Sequence, residues 1–304
     1  MAQGNQLPWT EDQWAMIQQE AQRGARRARV ASSFLPLSGP FGDPHTTVPA
    51  LVLKEGARAE HLGAVGRSAS RLEVDDSEVL KVTTLAVDLH LTSAQVEDPE
   101  LVVVRSMVAR AADVVGRLED AIVFNGQPEP GAAPSWVEPD GSHRSVRPEV
   151  FTVSGGQRNG GLLGADRVEC EIEGDALVAV IVRAITTLEG RGHFGPFVVA
   201  LGSAMFLAAS SPRQTHVLPS DRLTPFLDRP LLRSVVVPSN QGVVVSLSNA
   251  AVDLAVAKDV AVSFLQVTLE PRWVLRVSEK CVLRVKEAGS VITLVGTAPA
   301  VSPT

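Results

Sequence analysis

The sequence has no tyrosine, and its aromatic residues are nine phenylalanines and four tryptophans. Its core must therefore rest on aliphatic side chains, valine foremost. Cysteine is equally scarce, with Cys170 and Cys281 the only two. Two cysteines cannot build a disulfide framework, and no CxxC pair exists to hold zinc. Both sit in β-like patterns, where buried inert thiols are expected. Positive charge is short too: 28 basic residues face 34 acidic ones, and only five of the basic ones are lysines. The net charge of −6 argues against a strongly basic nucleic-acid binder. No apolar run survives to membrane length. The uncharged stretch 194–212 is broken by Gly195, Pro196 and Gly202, and the stretch 234–252 by Pro238 and the Asn240-Gln241-Gly242 turn. The N-terminus lacks a charged start followed by an apolar segment, which points to a cytoplasmic protein.

Catalytic signatures are missing as well. No GxxxxGK[ST], HExxH, GxSxG, SxxK or calcium-loop pattern occurs. The glycine-rich run Gly155–Gly161 lacks both the lysine and the following helix of a phosphate loop. The six histidines are scattered, with none at metal-ligand helical spacing from another. What remains is ordinary globular stock: 304 residues, 45% hydrophobic and 20% charged. At this length about 75% of the unfolded chain's surface can be buried. A rich core without catalytic motifs suggests binding or assembly.

The first well-marked element is a helix. Thr10 is its N-cap, Gln13 completes a capping box, and Trp14, Ile17, Ala21, Ala25 and Ala28 form one apolar stripe. Arg23, Arg26, Arg27 and Arg29 crowd its C-terminal end, where the helix dipole favours cations. Its alanine-rich stripe must dock on something to persist, and a neighbouring chain is the expected partner. Residues 48–74 read as a long, loosely packed hairpin and 79–91 as an alternating strand. Asp98 and Pro99 open a long helix ending near Asn125-Gly126, with Val104, Val108, Ala111, Val115, Leu118 and Ile122 as its seam. Glu119 and Asp120 sit near its C-terminal end, where the dipole disfavours anions, so partners are expected for them.

Residues 127–160 carry five prolines, five glycines and four serines, and read as an inserted surface loop with little buried area. Asp175 then caps a helix over 176–189. Strands follow at 196–201, 234–237 and 243–247, with a short helix over 203–210 and a loop at 211–230. Residues 252–295 are nearly continuous β pattern. Strands flank isolated helices without regular alternation, which makes the fold class α+β.

The order of these pieces resembles that of encapsulins, the bacterial nanocompartment shell proteins. The resemblance rests on Pro8–Trp14, Gly39-Pro40-Phe41-Gly42, Glu119–Gly126, Gly161-Leu162-Leu163, Gly192–Phe197 and Val252–Val256, and spans roughly residues 8–295. It implies the fold of tailed-phage major capsid proteins, the Hong Kong phage type. The arm would be 1–47, the extended loop with its return strand 48–91, and the peripheral domain with its spine helix 92–195. The axial domain would be 196–250, and peripheral strands with the C-terminal tail 251–304. It also implies no enzyme but a self-assembling icosahedral shell around a cargo enzyme, of ferritin-like or peroxidase type, held by its C-terminal peptide. That role suits iron storage or oxidative stress. A prophage capsid protein shares the fold and stays open as an alternative, as does a bacteriocin- or protease-type enzyme.

The same resemblance implies site residues. Ala25, Ala28, Arg29, Phe34 and Leu35 would form one wall of the cargo-peptide groove, and Val262 and Phe264 the other; plain core packing is the competing reading for Phe34, Val262 and Phe264. Arg26 and Arg29 suggest an acidic tail. Arg213, His216 and Asp221 would line a pore, an exposed loop being the alternative for His216. His90 stands where some members carry a flavin-stacking tryptophan, so no cofactor is expected. Neither a metal, a nucleic acid nor a membrane is expected as a ligand.

Overall fold

The capping box read from Thr10 and Gln13 is present: the Thr10 hydroxyl accepts from Gln13 N at 3.2 Å, and Gln13 Oε1 from Thr10 N at 2.9 Å. It starts helix α1 (Glu11–Ala28), the first element of a computed structural model that describes residues 7–58, 69–211 and 217–297. After it come α2 (Ala31–Phe34), β1 (Leu37–Ser38), β2 (Thr47–Pro49), β3 (Val52–Arg58), β4 (Ala69–Asp75), β5 (Val79–Lys81), β6 (Thr83–Thr92), α3 (Ser93–Val96) and α4 (Val102–Asn125). The middle of the chain holds β7 (Ser135–Val137), β8 (His143–Ser145), β9 (Thr152–Gly155), β10 (Asp166–Glu171), α5 (Gly174–Gly190), β11 (Phe197–Leu201), α6 (Ser203–Ser210) and α7 (Pro219–Leu223). The remainder is β12 (Leu232–Arg233), β13 (Gln241–Ser246), β14 (Val252–Val267), β15 (Arg272–Val285) and β16 (Val291–Thr297).

Two five-stranded sheets organise the molecule, in the orders β1-β14-β15-β6-β9 and β10-β16-β13-β11-β12. The first carries the main core. Thr83, Leu85, Val87, Leu89 and Leu91 of β6 alternate onto its buried face, as period-two patterning requires. The helix α4 lies on that face, and every residue of its predicted seam is buried. It begins three residues later than expected. Asp98 accepts from Glu100 N and Val102 N, and Leu101 turns left-handed at φ 51° before the first helical turn. Its 24 residues span about 36 Å at 1.5 Å per residue.

Against α4 packs α1, with Ile17, Ala21, Gly24 and Ala25 buried. Small residues let the backbones meet. A Cβ added at Gly24 would lie 2.8 Å from the Ala109 carbonyl oxygen, and one at Gly116 would lie 3.0 Å from that of Ala25. The arm helix thus finds its partner within its own chain, which corrects the expectation of a neighbouring one. Trp9 Nε1 donates to the Val96 carbonyl at 2.8 Å and anchors the approach to α1.

The predicted hairpin at 48–74 is present as β3 paired antiparallel with β4; its tip, 59–68, lies outside the described residues. The segment 127–160 is not the bare loop expected. It makes the β7–β8 hairpin, and its β9 joins the first sheet beside β6. Trp136 and Val146 enter the main core. Buried Gln127 donates to the Ala132 and Gly155 carbonyls and closes the neck. Its alternating Trp and Val were masked by the turn residues around them. In the second sheet β11 is buried throughout, and α5 and α6 pack against it as a second core. This sheet draws β10 and β16 from outside residues 196–250, and residues 234–237 do not form the expected strand. Among the described residues no helix is long and apolar enough to cross a membrane.

Candidate functional site

Where α1 ends, the chain must turn sharply to reach the first sheet. Asp120 makes that turn. Both of its carboxylate oxygens accept from Val30 N, at 2.9 and 3.0 Å, and one accepts from Ala31 N at 2.7 Å. Two backbone donors at the start of the short α2 are thereby satisfied. The next residues run into β1, which pairs parallel with β14 at Leu37–Leu254. Between the turn, β1 and the exposed stretch of β14 lies a groove of about 450 Å³. Arg26, Leu37, Val256 and Asp259 are among the residues that line it, with Arg29, Glu119 and Glu279 deeper in.

The floor of the groove is charged. The Arg29 guanidinium lies 2.7 Å from Glu119 Oε2 through Nε and 3.3 Å from Asp259 Oδ1, and its Nη2 donates to Glu279. The side chains of Glu119 and Glu279 are 0% and 1% exposed. Burial raises the pKa of both carboxyls, against the pull of Arg29, and Glu119 adds to the cost of charging Glu279. Burial acts to lower the Arg29 pKa, but Glu279 and Glu119 outweigh it and raise it. Glu119 and Glu279 hydrogen-bond each other, and Ser32 also bonds Glu119, so the two carboxyls and Arg29 form one connected buried cluster. Asp120 is also pushed up by burial and by Glu119, against the two backbone donors.

The structure brings Arg29 to this groove, but not the rest of the predicted walls; half-buried Ala28 faces Gly116 of α4 instead. Ala25 is sealed under α4. Phe34 packs its ring 6.4 Å from Phe124, Leu35 is buried beside it in sequence, and Phe264 packs 5.9 Å from Trp273. Val262 is 4% exposed, and its N–H and carbonyl are both held by the Gln18 amide. These five side chains are core packing, which revises the expected walls. Glu279, Asp259 and Leu37 were missed, because a lone charge inside an alternating strand reads as solvent-facing. Glu119 carried a signal, an anion at the wrong end of a helix. Of the pore residues, Asp221 is exposed on α7, and Arg213 and His216 lie outside the described residues. No group of three or more metal-ligating side chains occurs among the described residues.

Residues 2–133 and 160–281 match the model of a family described as the encapsulating protein for peroxidase. The chain belongs to this encapsulin family. The unmatched gap, 134–159, falls within the segment read as an insertion. Over 296 residues the chain is 25% identical to the type 1 encapsulin shell protein EncA of Myxococcus xanthus, covering 95% of this chain and 94% of that protein. In fold it is similar to the virus-like particle protein of Pyrococcus furiosus, at TM-score 0.63 and 12% identity over 93% of this chain and 99% of that one. The capsid of Myoviridae phage XM1 follows, at TM-score 0.56 and 16% identity over 86% and 89%. The α+β fold is thus that of tailed-phage major capsid proteins. The encapsulin family self-assembles into shells around an enzyme; its subunit is structural and not itself an enzyme.

Proposed function

We propose that the chain forms an icosahedral, cytoplasmic nanocompartment whose lumen holds a peroxidase-type enzyme, docked by its C-terminal peptide in the groove beside α1. The family's description favours a peroxidase over a ferritin-like cargo. The observation that carries the docking is the groove itself, open to a peptide and floored by the buried cluster of Glu119, Arg29 and Glu279. In such a shell residues 1–47 serve as the arm, 48–91 as the extended loop, 92–195 and 251–304 as the peripheral domain and 196–250 as the axial domain. Residues around Asp221 line an opening for small solutes.

The test is co-expression with a fluorescent protein carrying the C-terminal tail of a peroxidase encoded beside the shell gene. Hollow, megadalton particles that retain the tailed protein and not the tailless one are expected. A monodisperse monomer, or retention that ignores the tail, overturns the reading.

A further inference from the structure

The β7–β8 hairpin, which the family model leaves unmatched, walls a second cavity of about 500 Å³. Arg117 of α4 and the pair Val235-Val236, ahead of β13, close its other sides. Its back is apolar: Trp136, Val146 and Val236 are buried there, and Val235 stands 63% exposed beside them. The carboxylates that line it are engaged. Glu138 accepts from Trp136 Nε1 at 3.2 Å and from Ser239 N at 2.9 Å, and Asp140 accepts from Ser142 N at 2.9 Å. Arg117 is held by the Asp113 carboxylate at 2.9 Å and by the Arg147 carbonyl at 2.5 Å. Arg147 pairs with Glu149 at 2.9 Å, an exposed contact that contributes little. Two donors are left over. Exposed Arg144 stands opposite Trp136 in the strand register, so both side chains lie on one face of the hairpin. Neither its guanidinium nor the exposed His143 ring makes a hydrogen bond or ion pair among the described residues, and Asp140 answers the Arg144 charge only through space.

We propose that this cavity binds a small amphiphilic organic anion, an aromatic or branched aliphatic body bearing one phosphate or carboxylate. The head lies against Arg144 and His143, where the planar guanidinium offers two parallel donors to either kind of anion. The body covers Val235 and the apolar back behind it. A wholly apolar ligand would take Arg144 out of water without giving it a partner. A polyanion fits no better. The three lining guanidiniums, Arg117, Arg144 and Arg147, are offset by Glu138 and Asp140 within the lining and by Asp113 and Glu149 just outside it, so only a single head group finds free donors. The volume falls in the range of about 300–1,000 Å³ usual for small-molecule sites. Most of the lining comes from residues 136–147, so the site is an addition of this chain to its family's frame, and it shares no lining residue with the groove beside α1.

The experiment is equilibrium dialysis of purified, assembled shells against phenyl phosphate, which reaches the cavity at equilibrium whichever face of the shell it opens on. One saturable site per chain is expected. Inorganic phosphate, which lacks the apolar body, and benzyl alcohol, which lacks the charge, should each bind at least about tenfold more weakly. Arg144→Gln should lower the affinity about tenfold, the scale of a charge-assisted hydrogen bond. Val235→Ser should lower it about fourfold, the worth of one methylene removed from water. Both residues are exposed, so particles should form normally in either variant, as electron microscopy of the same preparations will register. Leu37→Glu, in the groove beside α1, should leave binding unchanged. Shells that take up no phenyl phosphate saturably overturn the site. Affinity unchanged in Arg144→Gln, or equal for phenyl phosphate and inorganic phosphate, overturns the assignment of head and body. Binding lost in Leu37→Glu moves the ligand to the other groove and overturns the proposal as well.

Discussion

Asp43 and Asp88 are ordinary surface partners, held below the usual carboxylate range by Lys280 and Lys258 and by Arg276. Glu119, Asp120 and Glu279 are the opposite case, raised by burial. The two sets act on stability with opposite signs. A lowered carboxylate stabilises the fold above its unfolded value, 3.8 for Asp, and that contribution is lost on acidification. A raised carboxyl favours the fold while protonated, so its contribution declines as pH climbs above the ordinary value, 4.5 for Glu, through the raised one. Thermal unfolding of the shell should therefore show a maximum in mildly acidic buffer and a descending limb toward neutrality. Glu279→Gln, which needs no proton to stay neutral, should flatten that limb. A melting temperature that is constant or climbs from pH 5 to pH 8 in the unsubstituted shell would count against the raised carboxyls.

The α1–α4 contact depends on the absence of side chains. Gly24 and Gly116 admit the facing backbones where a Cβ would come within 2.8 and 3.0 Å of a carbonyl oxygen. Gly24→Leu should push the helices apart at a cost of about 1–3 kcal/mol, the range for overpacking. Circular dichroism and limited proteolysis of shells should then register a loosened arm, with cleavage near residues 28–36. Proteolysis identical to the unsubstituted shell would mean that α1 is held mainly by its polar ties through Trp9 and Gln18. The stripe of Trp14, Ile17, Ala21, Ala25 and Ala28 was legible in sequence as a face in need of a partner. Which surface it meets was not. Alanine packs as well on a neighbouring chain as on α4, and only the facing small residues Ala109, Ala112 and Gly116 distinguish them.

For the whole molecule, the segment 134–159 sets this chain apart from its family model. Its Trp136 and Val146 belong to the main core, and Ser239 N donates to Glu138 at 2.9 Å, tying the insert to the turn before β13. Trimming the exposed hairpin tip at 139–141 should leave assembly unchanged, since exposed loop tips tolerate change. Trp136→Ala should cost about 3–5 kcal/mol, as core aromatic truncations do, and lower the yield of intact particles by size-exclusion chromatography. Full yield and an unchanged melting temperature would return the insert to the status of a surface loop. The α+β class, the arm helix with its capping box, the spine-helix seam and the long terminal strands were determined by the sequence alone. Each rests on local period and capping, which neighbouring residues encode. The tertiary structure decided that Phe34, Val262 and Phe264 face the core, that Trp136 is buried, and that Glu119, Glu279 and Arg29 meet at one groove. Glu119 and Glu279 stand 90 or more residues from Arg29 in sequence, and only sheet and helix packing brings such distant groups within hydrogen-bond reach.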